Sequence, residues 1–181
     1  MDPLIRIRKA QAADVDAVTA IYDAVTAREA AGLGSTGWQS AIYPNRATAE
    51  KALRNDELYV LERDGAILAT ARLNHIQDPA YAGVDWALKA PEERVFVIHT
   101  LAVDPAHARE GLGAAFMDYY EALAAELGCA ALRLDTNEIN RPARAFYAGR
   151  GYREAGVIPC TFNGLPGIRL VCLEKTVENR G

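Results

Sequence analysis

Hydrophobic positions recur along this chain with two periods, a period of two that predicts strands and a longer period that predicts helices. Strict alternation predicts a first strand at Leu4–Arg8, and a β-branched run predicts a buried strand at Val95–Val103. Apolar residues at helical spacing predict helices from about Ala12 to Ala31 and from about Arg46 to Arg54. Further strands are predicted at Leu58–Glu62, Ala66–Asn74, Leu132–Thr136, Tyr152–Pro159 and Ile168–Val177.

Turn signals separate these elements. Asp64-Gly65 is a strong two-residue hairpin signal, and Asn163–Gly167 is expected to form a turn before the last strand, at the rim of a pocket. The segment Gln77–Glu93 is expected to be irregular. The resulting order, β-α-α-β-β-β-α-β-α-β-β, predicts one α/β (α+β) domain over residues 1–181, with a mixed sheet and no repeat or linker.

The segment after the strand Val95–Val103 has the chemistry of an anion-binding loop. Asp104-Pro105 ends the strand because proline removes a ladder donor, and Arg109–Ala114 then opens a helix with two glycines, Gly111 and Gly113. Glycines at a helix start let backbone N–H groups approach an anion closely, and the helix dipole favours negative charge there. The sequence therefore predicts a phosphate site, followed by a helix whose apolar stripe is Leu112, Phe116, Tyr119, Tyr120, Leu123 and Leu127.

The motif around the two glycines indicates which phosphate-containing ligand the loop would bind. A dinucleotide site would have a third glycine where Phe116 stands, and a Walker loop would have a lysine after the glycines. Leu101-Ala102-Val103 followed by Ala108–Gly113 instead resembles the acetyl-CoA motif of the GNAT superfamily of N-acetyltransferases, a Leu-Ala-Val strand and a [Q/R]-x-x-G-x-[G/A] loop. Ala108 departs from the first position of that loop, and Arg109 stands one place later.

A second motif follows downstream at the expected distance. Asn140-Arg141-Pro142-Ala143-Arg144-Ala145-Phe146-Tyr147 and then Gly151-Tyr152 resemble the N-x-x-A-x-x-[FL]-Y-x-x-x-G-[FY] signature of the same superfamily. The two motifs together cover the C-terminal half of the chain. We therefore interpret residues 94–176, approximately, as the cofactor half of a GNAT-like acetyltransferase.

The resemblance implies a fold and a set of cofactor contacts. The fold would be a mixed, mostly antiparallel sheet, splayed at a central parallel pair and flanked by helices. The thioester arm of acetyl-CoA would lie between the strands that end at Val103 and Thr136. The cofactor-binding residues would be Leu101, Ala102, Val103, Arg109, Glu110, Gly111, Leu112, Gly113, Ala114 and Asn140. Asn140 is also expected to cap the helix that follows it.

Acetyl transfer to an amine needs an acid for the departing thiolate and a base for the amine. Tyr147 matches the superfamily tyrosine near the sulfur, and a phenol has a pKa near that of a thiol. Asp135 lies twelve positions before Tyr147, the spacing of the acidic catalytic residue in ribosomal-protein N-terminal acetyltransferases, which this region resembles. Asp135 could also only order a turn. His99 is a rival base, although its alternation with apolar neighbours also fits a core histidine.

The acceptor is less well defined by the sequence. Trp38 and Tyr43 lie in a loop of glycines and aromatics, and His75 ends a strand beside the irregular segment that holds Tyr81 and Trp86. Loops often carry specificity, so Trp38, Tyr43, His75 and His99 are our predicted substrate-binding residues. The same aromatics could equally anchor their loops on the core.

Composition limits the remaining possibilities. A net charge of −4 over 181 residues argues against nucleic acid as a partner. Three cysteines and three histidines without metal spacing predict no metal site, and the odd number of thiols predicts a reducing, cytoplasmic location. No apolar run reaches the length of a signal peptide or of a membrane span, so no membrane association is expected. The final strands offer edges for a homodimer.

We therefore predict an acetyl-CoA-dependent N-acetyltransferase that acts on a small amine or on a peptide or protein N-terminus. None of the cysteines lies in the matched motifs, so transfer is expected to be direct. The alternatives are a non-catalytic acyl-CoA-binding module on the same fold, and a dinucleotide-binding enzyme.

Overall fold

The computed structural model describes residues 4–178 as a sheet with helices. Its four α-helices are α1 (Val15–Ala30), α2 (Arg46–Arg54), α3 (Leu112–Glu126) and α4 (Arg141–Gly149). Its seven strands are β1 (Ile5–Lys9), β2 (Leu58–Arg63), β3 (Ala66–Asn74), β4 (Val95–Val103), β5 (Ala131–Asn137), β6 (Arg153–Phe162) and β7 (Leu165–Thr176).

The strands form one mixed sheet in the order β1-β2-β3-β4-β5-β7-β6. The β4–β5 pair is parallel, and its register joins Val95, Phe96 and Val97 to Ala131, Leu132 and Arg133. The β1–β2, β2–β3, β5–β7 and β6–β7 pairs are antiparallel. This arrangement confirms the predicted fold class, a mostly antiparallel sheet around one parallel pair.

The chain divides into two compact units. Among the described residues, the first unit holds residues 4–34 together with Trp38–Leu73 and His99–Tyr120. The second unit holds Ser35–Gly37, Asn74–Ile98 and residues 121–178. The prediction of a single domain stays a prediction.

The core of the first unit packs α1 and α2 against the start of the sheet. Val18 and Tyr22 of α1 are fully buried, as is Val60 of β2. Ala102 near the end of β4 belongs to the same apolar cluster, and the half-buried Trp38 packs against that cluster. Burial of these apolar faces is what fixes the position of β4 in this unit.

The second unit is organised around β5 and β7, with the segment before β4 folded against them. The guanidinium of Arg133 lies 4.1 Å from the ring centroid of Trp86, and its Nη2 donates to the carbonyl of Leu88 at 2.8 Å. The buried carboxylate of Glu174 accepts a hydrogen bond from the backbone of Ala87 at 2.7 Å. These contacts hold the segment 77–93 in a defined conformation.

Several predicted boundaries are wrong in an informative way. The first helix begins at Val15 after a 3₁₀ turn, and Leu127, placed on the stripe of α3, lies beyond its last residue and is exposed. The turn before the last strand is shorter than predicted because β7 begins at Leu165. The segment 77–93 contains 3₁₀ turns at Pro79–Gly83 and Glu92–Arg94.

Within residues 4–178 no group of three or more His, Cys, Asp or Glu side chains could hold a metal ion. Over the same range, no helix combines the length and the apolar character that crossing a bilayer requires.

Candidate active site

The glycine loop joins β4 to α3 in the first unit. Asp104 closes a short 3₁₀ turn by accepting a hydrogen bond from the Ala106 N–H at 2.9 Å. Arg109 and Gly111 then adopt positive φ angles of 68° and 78°. Glycine adopts the positive φ at position 111 without strain, and because a Cβ there would meet no atom within 4 Å, the backbone conformation alone favours glycine.

The backbone donors of this loop are left without acceptors inside the chain. The carbonyl of Gly111 receives the Ala115 N–H at 2.9 Å, the first helical bond of α3. Within residues 4–178 no acceptor is found for the N–H groups of Arg109, Glu110, Gly111, Leu112, Gly113 and Ala114. Unpaired donors at the positive end of a fifteen-residue helix form an anion-binding arrangement.

Two charged side chains of the loop differ in their pairing: Glu110 forms an ion pair, and Arg109 forms none with any described residue. The Glu110 carboxylate accepts a hydrogen bond from Arg63 Nη2 at 2.6 Å, and Arg63 followed by His107 lowers the pKa of this exposed carboxyl. The Arg109 guanidinium makes no contact of this kind with any residue between 4 and 178. Arg63 therefore removes the repulsion that Glu110 would present to an anion, and sequence reasoning missed it because it lies 47 positions away.

The strand that leads to the loop carries an unusual backbone conformation. Thr100 has a φ of 54°, which is rare for a β-branched residue and marks a break in the regular strand. Its hydroxyl is hydrogen-bonded to the hydroxyl of Tyr43. Ala102 is buried in the core, while Leu101 and Val103 are half-buried. The predicted contacts of Leu101, Ala102 and Val103 with a cofactor stay predictions.

The second unit brings the two predicted catalytic residues together. Tyr147, on α4, is only 8% exposed, and its ring packs edge-on against Phe146 and Tyr152 with centroids 5.3 and 5.9 Å away. Its hydroxyl makes no hydrogen bond to any residue in 4–178. Burial, and after it the negative charge of Asp135, raise the pKa of this phenol well above its ordinary value of 10. Tyr147 is therefore a protonated donor at neutral pH.

Asp135 is held in place by a residue that was not assigned a role from the sequence. Its Oδ2 accepts a hydrogen bond from the Tyr81 hydroxyl at 2.6 Å. Tyr81 is 2% exposed and packs edge-on against Trp86, with centroids 5.3 Å apart. The sequence placed Tyr81 among several loop aromatics, and its partner Asp135 lies 54 positions further along the chain, where no local pattern could reveal the pair. The tyrosine thus fixes one oxygen of the carboxylate.

Asn140 caps α4 as predicted. Its Oδ1 accepts from the Ala143 N–H at 3.3 Å and from the Ser35 hydroxyl at 3.2 Å. The proposed contact of Asn140 with a cofactor stays a prediction. Arg144 of α4 and Arg150 just after it form ion pairs with Glu154 and Glu121 in the second unit.

The predicted substrate-binding residues fall into both units. In the first unit Trp38 and Tyr43 pack edge-on with ring centroids 6.2 Å apart, and His99 is 8% exposed. In the second unit His75 Nδ1 lies 2.9 Å from the carbonyl oxygen of Val95. A carbonyl oxygen can only accept, so the ring nitrogen is the donor of this hydrogen bond. That hydrogen bond and the Phe96 ring, 5.2 Å away, hold the His75 imidazole. Their roles toward a substrate stay predictions.

The three cysteines are free thiols with raised pKa values. Burial, followed by nearby negative charge, raises the pKa of Cys172 to about 12. Burial also raises the pKa of Cys129 and of the half-buried Cys160. A thiol that holds its proton at neutral pH is a poor nucleophile.

The fold is defined by a mixed, mostly antiparallel sheet that has one parallel pair and is flanked by helices. The acetyltransferase (GNAT) family model matches residues 19–152. The chain belongs to this family and is an acyltransferase, as the sequence motifs predicted.

Solved structures agree with this fold. A GNAT-family acetyltransferase from Streptococcus agalactiae superposes with a TM-score of 0.80 at 24% identity, covering 96% of each chain. The ribosomal-protein-S18-alanine N-acetyltransferase of Escherichia coli gives 0.69 at 18% identity, covering 98% of this chain and 97% of that one. N-acetylglutamate synthase from Neisseria gonorrhoeae, in complex with coenzyme A and N-acetyl-glutamate, gives 0.63 at 19% identity, covering 98% of this chain and 36% of its own. A search of curated proteins finds no significant match.

Proposed function

We propose that this protein transfers acetyl from acetyl-CoA directly to a primary amine, either of a small metabolite or of a peptide or protein N-terminus. The observation that carries the proposal is the run of backbone N–H groups from Arg109 to Ala114 that find no acceptor within the described chain. Six such donors at the start of a long helix are suited to the diphosphate of coenzyme A. The free guanidinium of Arg109 adds a positive charge to the same loop.

The chemistry requires a base matched to the acceptor. A lysine-like amine with a pKa near 10.4 must lose a proton before attack, which costs roughly 4.6 kcal/mol at pH 7, whereas an α-amino group with a pKa near 8 costs about 1.3 kcal/mol. Asp135 would take the proton from the attacking ammonium group, directly or through water. Tyr81 holds the carboxylate in position for this step through its hydrogen bond of 2.6 Å.

Tyr147 would donate to the sulfur of the leaving thiolate. The neutral amine nitrogen forms a bond to the carbonyl carbon of the thioester, the carbon–sulfur bond breaks, and the phenol donates a hydrogen bond to the thiolate. The nitrogen loses its second proton to solvent as the amide forms, and the thiolate takes up a proton as it leaves. Because burial raises the pKa of Tyr147, complete proton transfer to a thiolate is uphill, and hydrogen-bond stabilisation carries more of its effect. This modifies the expectation that the two pKa values match.

Direct transfer is supported by the state of the cysteines. The raised thiol pKa values of Cys129, Cys160 and Cys172 disfavour an acyl-enzyme formed on any of them. The same free thiols support a cytoplasmic location as part of this proposal.

Two measurements test the proposal. Calorimetry with acetyl-CoA is expected to give a saturable heat of binding, and NAD is expected to give none. A screen of amino acids, polyamines and short peptides, followed by the release of free thiol, is expected to find an acceptor. Binding of acetyl-CoA without turnover on any acceptor would favour a non-catalytic acyl-CoA-binding module instead.

A further inference from the structure

A cavity of about 580 Å³ lies within the second unit, apart from the residues predicted to bind substrate. One wall is the 3₁₀ turn Pro79–Gly83 with Asp78 before it, and the other is formed by the second half of β6, from Ile158 onward, and by Asn163 in the turn after it. Its volume falls in the range of sites that hold small organic molecules. The sequence suggested only that Asn163 lies at the rim of a pocket.

The lining of this cavity combines one negative charge with apolar and neutral polar surface. Asp78 is its one acidic side chain, and none of the described residues that line it is a lysine, arginine or histidine. Pro79, Ile158 and Cys160 supply apolar surface, and Asn163 supplies a neutral polar group. One Asp78 oxygen, Oδ1, accepts from the Ala80 N–H at 2.9 Å, and the other makes no hydrogen bond within residues 4–178. Such a lining favours an organic cation over an anion.

The same turn connects the cavity to the proposed base. Tyr81 lies in the middle of the turn, its N–H donates to the carbonyl of Asp78 at 2.9 Å, and its hydroxyl donates to Asp135. Burial, and after it the negative charges of Asp78 and Asp135, raise the pKa of the Cys160 thiol in the cavity wall. Both carboxylates therefore act on the same small region of the second unit.

We propose that this cavity binds the acceptor as an ammonium ion with a short apolar body, and that Asp78 is the residue that selects its positive charge. The identification of the occupant as the acceptor rests on the proposed function, whereas the binding of organic cations does not. The cation would lose its proton only when it reaches the base, so the cavity concentrates the amine in the form that dominates at neutral pH.

The test uses the full chain and three probes of similar size, namely butylamine, 1,4-diaminobutane and butanoate. Each is titrated while Cys160 is alkylated with N-ethylmaleimide, with the modified cysteine identified by mass spectrometry and with the buried Cys129 and Cys172 as internal references. Both amines are expected to protect Cys160, and butanoate is expected not to. Equal protection by butanoate would overturn the proposal. If Cys160 reacts too slowly, the amide chemical shifts of Gly83 and Asn163 follow the same titrations.

A matched pair of variants isolates the charge of Asp78. Asp78→Asn keeps an oxygen for the Ala80 N–H and loses the charge, so the turn is preserved. Asp85→Asn makes the same change in net charge at an exposed position of the same segment, where Asp85 pairs with Lys89. Asp78→Asn is expected to raise the half-saturating amine concentration about fivefold, and Asp85→Asn to leave it within twofold. An unchanged value in Asp78→Asn would refute the role of the carboxylate.

A separate titration keeps this proposal distinct from the proposed function. Calorimetry with acetyl-CoA, run on the same samples, tests the glycine loop alone. Absence of that heat together with amine protection would overturn the transferase proposal and leave the cation site standing. Absence of amine protection in a protein that binds acetyl-CoA would overturn the cation site alone.

Discussion

Replacement of Tyr147 by phenylalanine separates chemistry from packing at the candidate active site. The phenol ring packs against Phe146 and Tyr152, and phenylalanine retains these contacts. The hydroxyl makes no hydrogen bond within the described chain, so its removal leaves no orphaned partner. The free energy of unfolding is therefore expected to change by less than about 1 kcal/mol.

The expected loss in turnover is much larger than this change in stability. General acid catalysis contributes about 10²–10⁴-fold to rate. Because burial raises the pKa of Tyr147, it is a weak acid, and the lower end of the range applies. A hundredfold loss in kcat corresponds to about 2.7 kcal/mol of transition-state stabilisation. The assay is thiol release from acetyl-CoA with a saturating acceptor, alongside calorimetry of acetyl-CoA binding.

Tyr152→Phe is the matched control for this experiment. Tyr152 is 4% exposed beside Tyr147, and its hydroxyl donates to Glu121 at 3.1 Å. Its loss is expected to cost about 1–2 kcal/mol of stability, because a carboxylate loses a donor, and to change kcat by less than twofold. Unchanged turnover in Tyr147→Phe with intact acetyl-CoA binding would refute the acid assignment. Equal losses of turnover in both variants would point to packing.

Three further predictions test other parts of the molecule. Gly111→Ala places a side chain at a φ of 78°, which is expected to lower the free energy of unfolding by about 1–2 kcal/mol and to raise the KM for acetyl-CoA. The control Gly65→Ala, at a φ of 81° in a hairpin, is expected to lose the same stability and to leave that KM unchanged. Urea unfolding measures the stability of both variants, and steady-state kinetics measures their KM. Tyr81→Phe removes a donor from Asp135, so the acidic limb of the kcat/KM profile is expected to move to higher pH, and an unmoved limb would contradict the base assignment. Arg8 Nη1 pairs with Asp14 Oδ2 at 2.7 Å, and this arginine lowers the pKa of the Asp14 carboxyl. The stabilisation from the pair is therefore complete above about pH 4 and is lost as the pH falls through the lowered pKa, so Asp14→Asn is expected to flatten that part of the stability curve, measured by denaturation at each pH.

Local sequence signals were sufficient where neighbouring residues decide the structure. The strands Ala66–Asn74 and Val95–Val103 have the predicted bounds, because β-branched runs and turn residues mark both ends. Asp64 and Gly65 both have positive φ, as the two-residue hairpin signal requires. The cap at Asn140 follows from its place before a proline-containing helix start.

Contacts between distant positions were not predictable in this way. In the sequence, Thr100 has the pattern of an ordinary strand residue. Its positive φ within β4 and its hydrogen bond to Tyr43 are visible in the structure alone. The Tyr81–Asp135 pair joins an irregular segment to a strand, and no periodicity encodes such a pairing. The cavity beside Asp78 arises because β6 packs against a 3₁₀ turn that composition alone described as irregular.

Local charge, rather than net charge, explains how an acidic chain could bind a polyanion and a cation. The net charge of −4 would repel coenzyme A, yet the glycine loop offers uncharged N–H donors and Arg109, and Arg63 neutralises the nearby Glu110. A pairing between the exposed Arg109 side chain and a phosphate would contribute only up to about 1 kcal/mol, so on the proposed function the backbone donors carry most of the anion binding. In the second unit the local charge is negative instead, because Asp78 lines the cavity and none of the described lining residues is cationic. Raising the salt concentration should therefore weaken amine protection of Cys160 more than acetyl-CoA binding, since ion pairing is screened and backbone hydrogen bonding is not. The opposite ranking would mean that side-chain charge, and not the main chain, holds the diphosphate.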